Sequence, residues 1–167
     1  CAMLLADMGA EVVKLEPPEG DDMRRSLPRG QDGIGVLFTM HNRNKKAITL
    51  NLRSPKSREL LHKLIEHFDV LDENYRPGVM GRLGCDYATL RAINPRLVMV
   101  SISGFGQSGP YAQRGADDKA VQAMSGTMHL TGSPDGEPTR VAVALADYIS
   151  GTYGALSAVS ALYMRQQ

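Results

Sequence analysis

The chain has 167 residues, of which 43% are hydrophobic, and its formal net charge is +1. Length and apolar content fit about one domain with a core of its own, and the balanced charge provides no field that favours nucleic acid or an anionic membrane. Aromatics at 5% without Trp argue against a base-stacking surface, and no apolar run reaches bilayer-spanning length. Two cysteines, Cys1 and Cys85, make no disulfide framework and fit a reducing cytoplasm.

Ala2 to Met8 are mostly good helix formers stopped by Gly9, so the chain opens on a helix. Glu11 to Glu16 reads as a short strand ended by Pro17-Pro18, and Glu19 to Gly35 as a polar loop. Lys46 to Leu52 alternates, with Ile48, Leu50 and Leu52 on one face of a strand. Ser54-Pro55 starts a helix that carries Leu60, Leu61, Leu64, Ile65 and Phe68 at helical spacing. Asp69 to Leu71 is a buried strand, followed by short helices over Pro77 to Leu83 and Tyr87 to Ile93. Leu97 to Ile102 is the clearest strand, and Asp118 to Ser125 the next helix. Alternating strands and helices imply an open parallel α/β sheet, which binds ligands at the carboxyl ends of its strands. The chain starts at Cys1 and ends at Gln167 in helical sequence, so it reads as a fragment of a larger protein.

Four stretches carry candidate chemistry. Gly104-Phe105-Gly106-Gln107-Ser108-Gly109 has dinucleotide-loop spacing, but Pro110 and Gly115 prevent the helix that such a loop must open. It reads better as an ordered loop against a ligand or partner. Asn74 to Gly84 follows a strand and places Arg76 and Arg82 near a short helix start; it suits either a phosphate or an ordinary connection. Asn42 to Lys46 is a cationic run that usually marks a solvated face, His62 and His67 are spaced wrongly for a metal pair, His41 and His129 have no clear partners, and Cys85 reads as packed rather than reactive. Asp147 follows the apolar run 141–146 and precedes a helix rich in Gly, Ala and Ser. An acid there either caps the helix or is a reactive group held where water is scarce, and spacing favours the cap.

Taken in order, Leu5 to Pro18 with Gly20-Asp21, Asn42 to Leu52, Glu73 to Gly84, Asn94-Pro95, Ser101 to Pro110, Gln122 to Gly126, and Asp147 with Gly151 resemble the class III coenzyme A transferases. That family includes formyl-CoA transferase, carnitine CoA-transferase and, as a relative, α-methylacyl-CoA racemase. The resemblance implies a Rossmann-like large domain over 1–167, with its first strand upstream and a smaller domain downstream. It implies an enzyme that moves CoA between carboxylic acids through aspartyl anhydride and aspartyl-CoA thioester intermediates. Asp147 is then the nucleophile; Gln107, in a loop near the acyl end, and Asp118, at the position of the family's second acid, complete the catalytic set. Leu50, Arg53, Asn74, Tyr75, Val79, Arg82, Leu83 and Gly106 are then the CoA contacts. No metal and no tightly bound cofactor is expected; acyl-CoA is a substrate, and an interlocked homodimer in the cytoplasm is the expected assembly. Pro17 stands where formyl-CoA transferase has an Arg, and Ala116-Asp117-Asp118 lacks the His of the racemase pair. Racemisation is therefore the lesser alternative, and a non-catalytic CoA- or nucleotide-binding domain the other. The fragment by itself is expected to be inactive and prone to associate.

Overall fold

The computed structural model describes all residues, 1–167. Helix α1 (Ala2–Asp7) turns into strand β1 (Val12–Glu16), which pairs in parallel with β2 (Lys45–Thr49), from Val12 opposite Lys45 to Glu16 opposite Thr49. The connection between them holds a 3₁₀ turn at Asp22–Arg25 and helix α2 (Val36–Asn42), both inside or beside the stretch expected to be loop. Each has a local cause. The Asp21 carboxylate accepts from the Met23 N–H and starts the 3₁₀ turn. In α2, Phe38 is buried under Lys14 and Arg24, whose cationic groups lie 4.8 and 4.0 Å from its ring centroid.

Helix α3 (Pro55–Ile65) begins with Pro at its first position, as the sequence suggests. It leads to β3 (Val70–Glu73), the short helices α4 (Val79–Arg82) and α5 (Tyr87–Ile93), and β4 (Val98–Ser101). β3 and β4 are parallel, with Glu73 opposite Ser101. Leu61, Ile65, Met80, Cys85, Leu90 and Leu97 form the core of this half; Cys85 and Leu90 are wholly buried. Burying side chains of this size contributes roughly 1.5–3 kcal/mol each before entropy is counted. Asn94 ties the half together, donating to the carbonyls of Ile65 and Phe68 at 3.0 and 2.9 Å and so satisfying the end of α3.

Helix α6 (Asp118–Met124) and the 22-residue α7 (Leu145–Gln166) complete the chain, with α7 packed on β4, α6 and α1. Gly154 permits that approach: a Cβ there would lie 2.9 Å from Ile102 Cδ1. The fold is α/β with parallel strands and flanking helices, as expected. Its strands fall into two separate parallel pairs, β1–β2 and β3–β4.

Candidate functional site

Asp147 lies in the first turn of α7, and it is not the cap. The cap position is Ala144, which has no side chain able to accept. Instead the carboxylate of Asp118, on α6, accepts from the Ala146 N–H at 2.9 Å. The orphan donor at the start of α7 is thus satisfied from another helix, and the capping role favoured for Asp147 by spacing falls to Asp118. The second Asp118 oxygen accepts from the Gln122 side-chain amide at 2.8 Å. That amide also donates to the Val143 carbonyl at 3.2 Å, and the Gln122 Oε1 accepts from the Val141 N–H at 3.0 Å. Asp118 and Gln122 are both buried, Gln122 to 1% exposure. The apolar run before Asp147 is accordingly neither free loop nor strand: it is pinned to α6 at Val141, Val143 and Ala146.

The Asp147 carboxylate itself accepts no hydrogen bond from the protein. Its pKa is raised, first by desolvation and then by the negative charges of Asp118 and Asp117. The residue as a whole is exposed, which limits the size of the effect but not its direction. Asp117 is occupied locally, accepting from the Ala120 N–H as the cap of α6. Next to Asp147, Tyr148 brings its hydroxyl 3.2 Å from His41 Nε2, so His41 has a partner that the sequence did not reveal.

The Gly104 loop reaches this region from β4. A cavity of about 430 Å³ between β4 and α7 is lined by Ser103, Gly106, Ser150, Gly154 and Ser157 among others. Gly106 lines it together with Ser150, which lies three residues past Asp147 on α7. Gln107 stands beside it with its side-chain amide donating to Ser103 Oγ at 3.2 Å. No helix follows this loop until Asp118, so the dinucleotide geometry does not form. Gly104 is fixed by contact: a Cβ there would sit 2.5 Å from Ala116 Cβ.

Asn74 and Tyr75 are exposed at the carboxyl end of β3, beside the start of the Gly104 loop, where the Ile102 N–H donates to the Glu73 carbonyl at 2.9 Å. Gly78, in the left-handed region at φ 83°, starts the single turn of α4. Val79 opens that turn, Arg82 is exposed on it, and Leu83 ends it with its side chain against the core. Arg76 lies over Gly115, where a Cβ would come 2.5 Å from its guanidinium, so the Asn74 loop and the segment before α6 are packed together. Leu50 and Arg53 lie past the carboxyl end of β2, in the other strand pair. Leu50 continues the strand pairing by one bond, its N–H donating to the Glu16 carbonyl at 2.9 Å. The structure thus brings Asp118 to the start of α7 beside Asp147, and sets the Asn74–Tyr75 end of β3 beside the start of the Gly104 loop. No group of three or more His, Cys, Asp or Glu is placed to hold a metal, and His62 is engaged with the Gly84 carbonyl at 2.8 Å.

Comparison with known proteins identifies the family. The family model described as CoA-transferase family III matches residues 1–167. An acetyl-CoA:oxalate CoA-transferase of Acetobacter aceti is 47% identical over 98% of this chain and 42% of its own length. A succinyl-CoA–D-citramalate CoA-transferase of Chloroflexus aurantiacus is 42% identical over 100% of this chain and 42% of its own. A crystal structure of a CaiB/BaiF family protein from Brucella suis superposes with a TM-score of 0.94 at 43% identity, covering 99% of this chain and 45% of that one. The chain therefore spans less than half the length of these relatives. With the match running from the first residue to the last, the chain belongs to CoA-transferase family III.

Proposed function

We propose that residues 1–167 are the CoA-binding large-domain portion of an acyl-CoA:carboxylate CoA-transferase in which Asp147 is the nucleophile. The observation that carries this reading is the Asp147 carboxylate at the start of α7, free of any protein hydrogen bond because Asp118 supplies the cap. A carboxylate with no donor to satisfy, its pKa raised by desolvation and by Asp118, is a stronger nucleophile than a solvated one. Its oxygen attacks the thioester carbonyl of an acyl-CoA; the C–S bond breaks and CoA leaves as thiolate. The thiolate then attacks the aspartyl carbonyl of the mixed anhydride, releasing the donor acid and leaving an aspartyl-CoA thioester. The acceptor carboxylate attacks that thioester, and the freed thiolate attacks the acceptor's acyl carbon. A new acyl-CoA forms and Asp147 is regenerated.

Within this reading Gly106 and Gln107 flank the acyl end from the β4 loop. Asn74, Tyr75, Val79, Arg82 and Leu83 hold the arm and nucleotide of CoA at the end of β3, and Leu50 and Arg53 meet its adenine side. The anhydride hydrolyses readily, so water must be kept from Asp147. Asp147 and Tyr148 are exposed here, so bound acyl-CoA and the remainder of a full-length homodimer would supply the cover. The donor and acceptor named for the relatives make acetyl-CoA with oxalate and succinyl-CoA with dicarboxylic acids the first pairs to assay. The test is hydroxylamine trapping in the full-length chain: incubation with the active acyl-CoA should give a hydroxamate on the Asp147 peptide by mass spectrometry. Transfer activity retained by Asp147→Ala would sink the proposal.

A further inference from the structure

The Asp118–Gln122 pair has more to do than seal the α6–α7 contact. Two buried polar side chains, four residues apart on one face of α6, take three backbone groups of the segment that delivers Asp147: the Val141 N–H, the Val143 carbonyl and the Ala146 N–H. Each side chain also fixes the other, through the 2.8 Å bond from the Gln122 amide to Asp118. Gln122 cannot flip its amide without setting its oxygen against the Asp118 carboxylate and the Val143 carbonyl, so the orientation is determined. Burying a carboxylate and an amide is costly unless their bonds are made, and here the bonds not made between the two side chains all go to one short segment.

We propose that Asp118 and Gln122 are positioning residues for Asp147, a clamp from α6 that holds the backbone at 141–146 and relieves Asp147 of the capping bond. The consequence for catalysis rests on Asp147 being the nucleophile; the consequence for the Asp147 carboxyl does not. The clamp acts in two ways. Gln122 fixes where α7 begins, and hence where the carboxyl points. Asp118 takes the helix donor and leaves its own negative charge beside Asp147. Asp117 is the other charge acting on Asp147, while α1 and β4, also packed on α7, contribute none.

The test compares Gln122→Met, Asp118→Asn and Asp118→Ala in the full-length chain. Val141 is half-buried and Val143 exposed, so backbone groups released by Gln122→Met can turn to water and the fold should survive. Misplacing a reacting group by about 1 Å costs on the order of a hundredfold in rate. Gln122→Met should therefore lower kcat by about 10- to 100-fold with the acyl-CoA KM little changed. Asp118→Asn keeps an acceptor for the Ala146 N–H and should retain more turnover than Asp118→Ala. A second readout is independent of turnover: carbon NMR of the chain labelled at its aspartate carboxyls, with the Asp147 line assigned by its loss in Asp147→Asn. The Asp147 titration midpoint should fall in Asp118→Asn. Wild-type turnover in a folded Gln122→Met, or an Asp147 midpoint unmoved by Asp118→Asn, would overturn the clamp. Activity persisting in Asp147→Ala while that midpoint moves would instead remove the nucleophile and leave the clamp standing.

Discussion

Breaking the Glu16–Arg24 pair should remove one share of the chain's acid sensitivity along with part of its stability. Glu16 ends β1 with its side chain at 5% exposure, and Arg24 meets it with two bonds of 2.7 and 2.8 Å while itself 37% exposed. That hydrogen-bonded guanidinium holds the Glu16 carboxyl at about 2, against 4.5 for an ordinary glutamate, with the Asp21 N–H adding a third donor. At full strength such a displacement corresponds to about 3 kcal/mol. The guanidinium faces water, so screening reduces the contribution to about 2 kcal/mol. Because the folded value is depressed, this stability is present above pH 4.5 and is lost as pH falls from there through about 2. The perturbation is Arg24→Met, which also removes the cation over Phe38 at a cost, independent of pH, of about 0.5–1 kcal/mol. Urea unfolding of both proteins at steps from neutral to acid pH gives the difference in stability, in which other carboxylates cancel. The variant should be less stable by about 2–3 kcal/mol near neutrality, with most of that gap closing below pH 4.5. A gap that stays constant across the acid range would refute the reasoning.

Asp147 carries the opposite sign. Its folded pKa is raised, so ionising it costs folding free energy above that value and nothing below the ordinary 3.8. Asp147→Asn should therefore raise the melting temperature at pH 7 and not in strong acid. Cys85 is wholly buried, and burial pushes its thiol pKa up; native protein should resist iodoacetamide at Cys85 and label there only on unfolding. Gly104→Ala forces a Cβ to within 2.5 Å of Ala116 Cβ, a rigid neighbour, so the loop carrying Gly106 and Gln107 must shift. Transfer activity in the full-length chain should fall at least about tenfold while α3–α5 keep their amide-exchange protection.

Helix α5 was readable because its signals are local: Asp86 caps it through the Thr89 N–H and Asn94 ends it. Strand β2 was read three residues too long because Leu50 and Leu52 continue its alternation. Pairing stops where β1 stops, and Asn51 then turns the chain by accepting from the Arg53 N–H. Helix α2 was missed because it is short, lacks a side-chain cap and follows a polar loop; Val36 and Met40, four apart, with His41 in the last turn, were the available signal. In the site, the sequence pointed to Asp147 and Asp118 by resemblance but assigned the cap to the wrong acid. The partners of Gln122 lie 19 and 21 residues away, and Asp118 reaches 28 residues to Ala146. Local spacing has no access to bonds of that reach.

One consequence concerns how such a chain can change over evolutionary time. Residues 127–140 leave α6 and return to it as a closed excursion, tied at its base by the Thr139 N–H to the Met128 carbonyl at 3.0 Å and by Gln122 to Val141. Insertions or deletions at its tip, around Ser133 to Gly136, need not be transmitted past that tie. A loop hung in this way can lengthen, shorten or be exchanged while Asp147 stays in place, giving the scaffold a region free to diversify beside a carboxylate whose position is fixed.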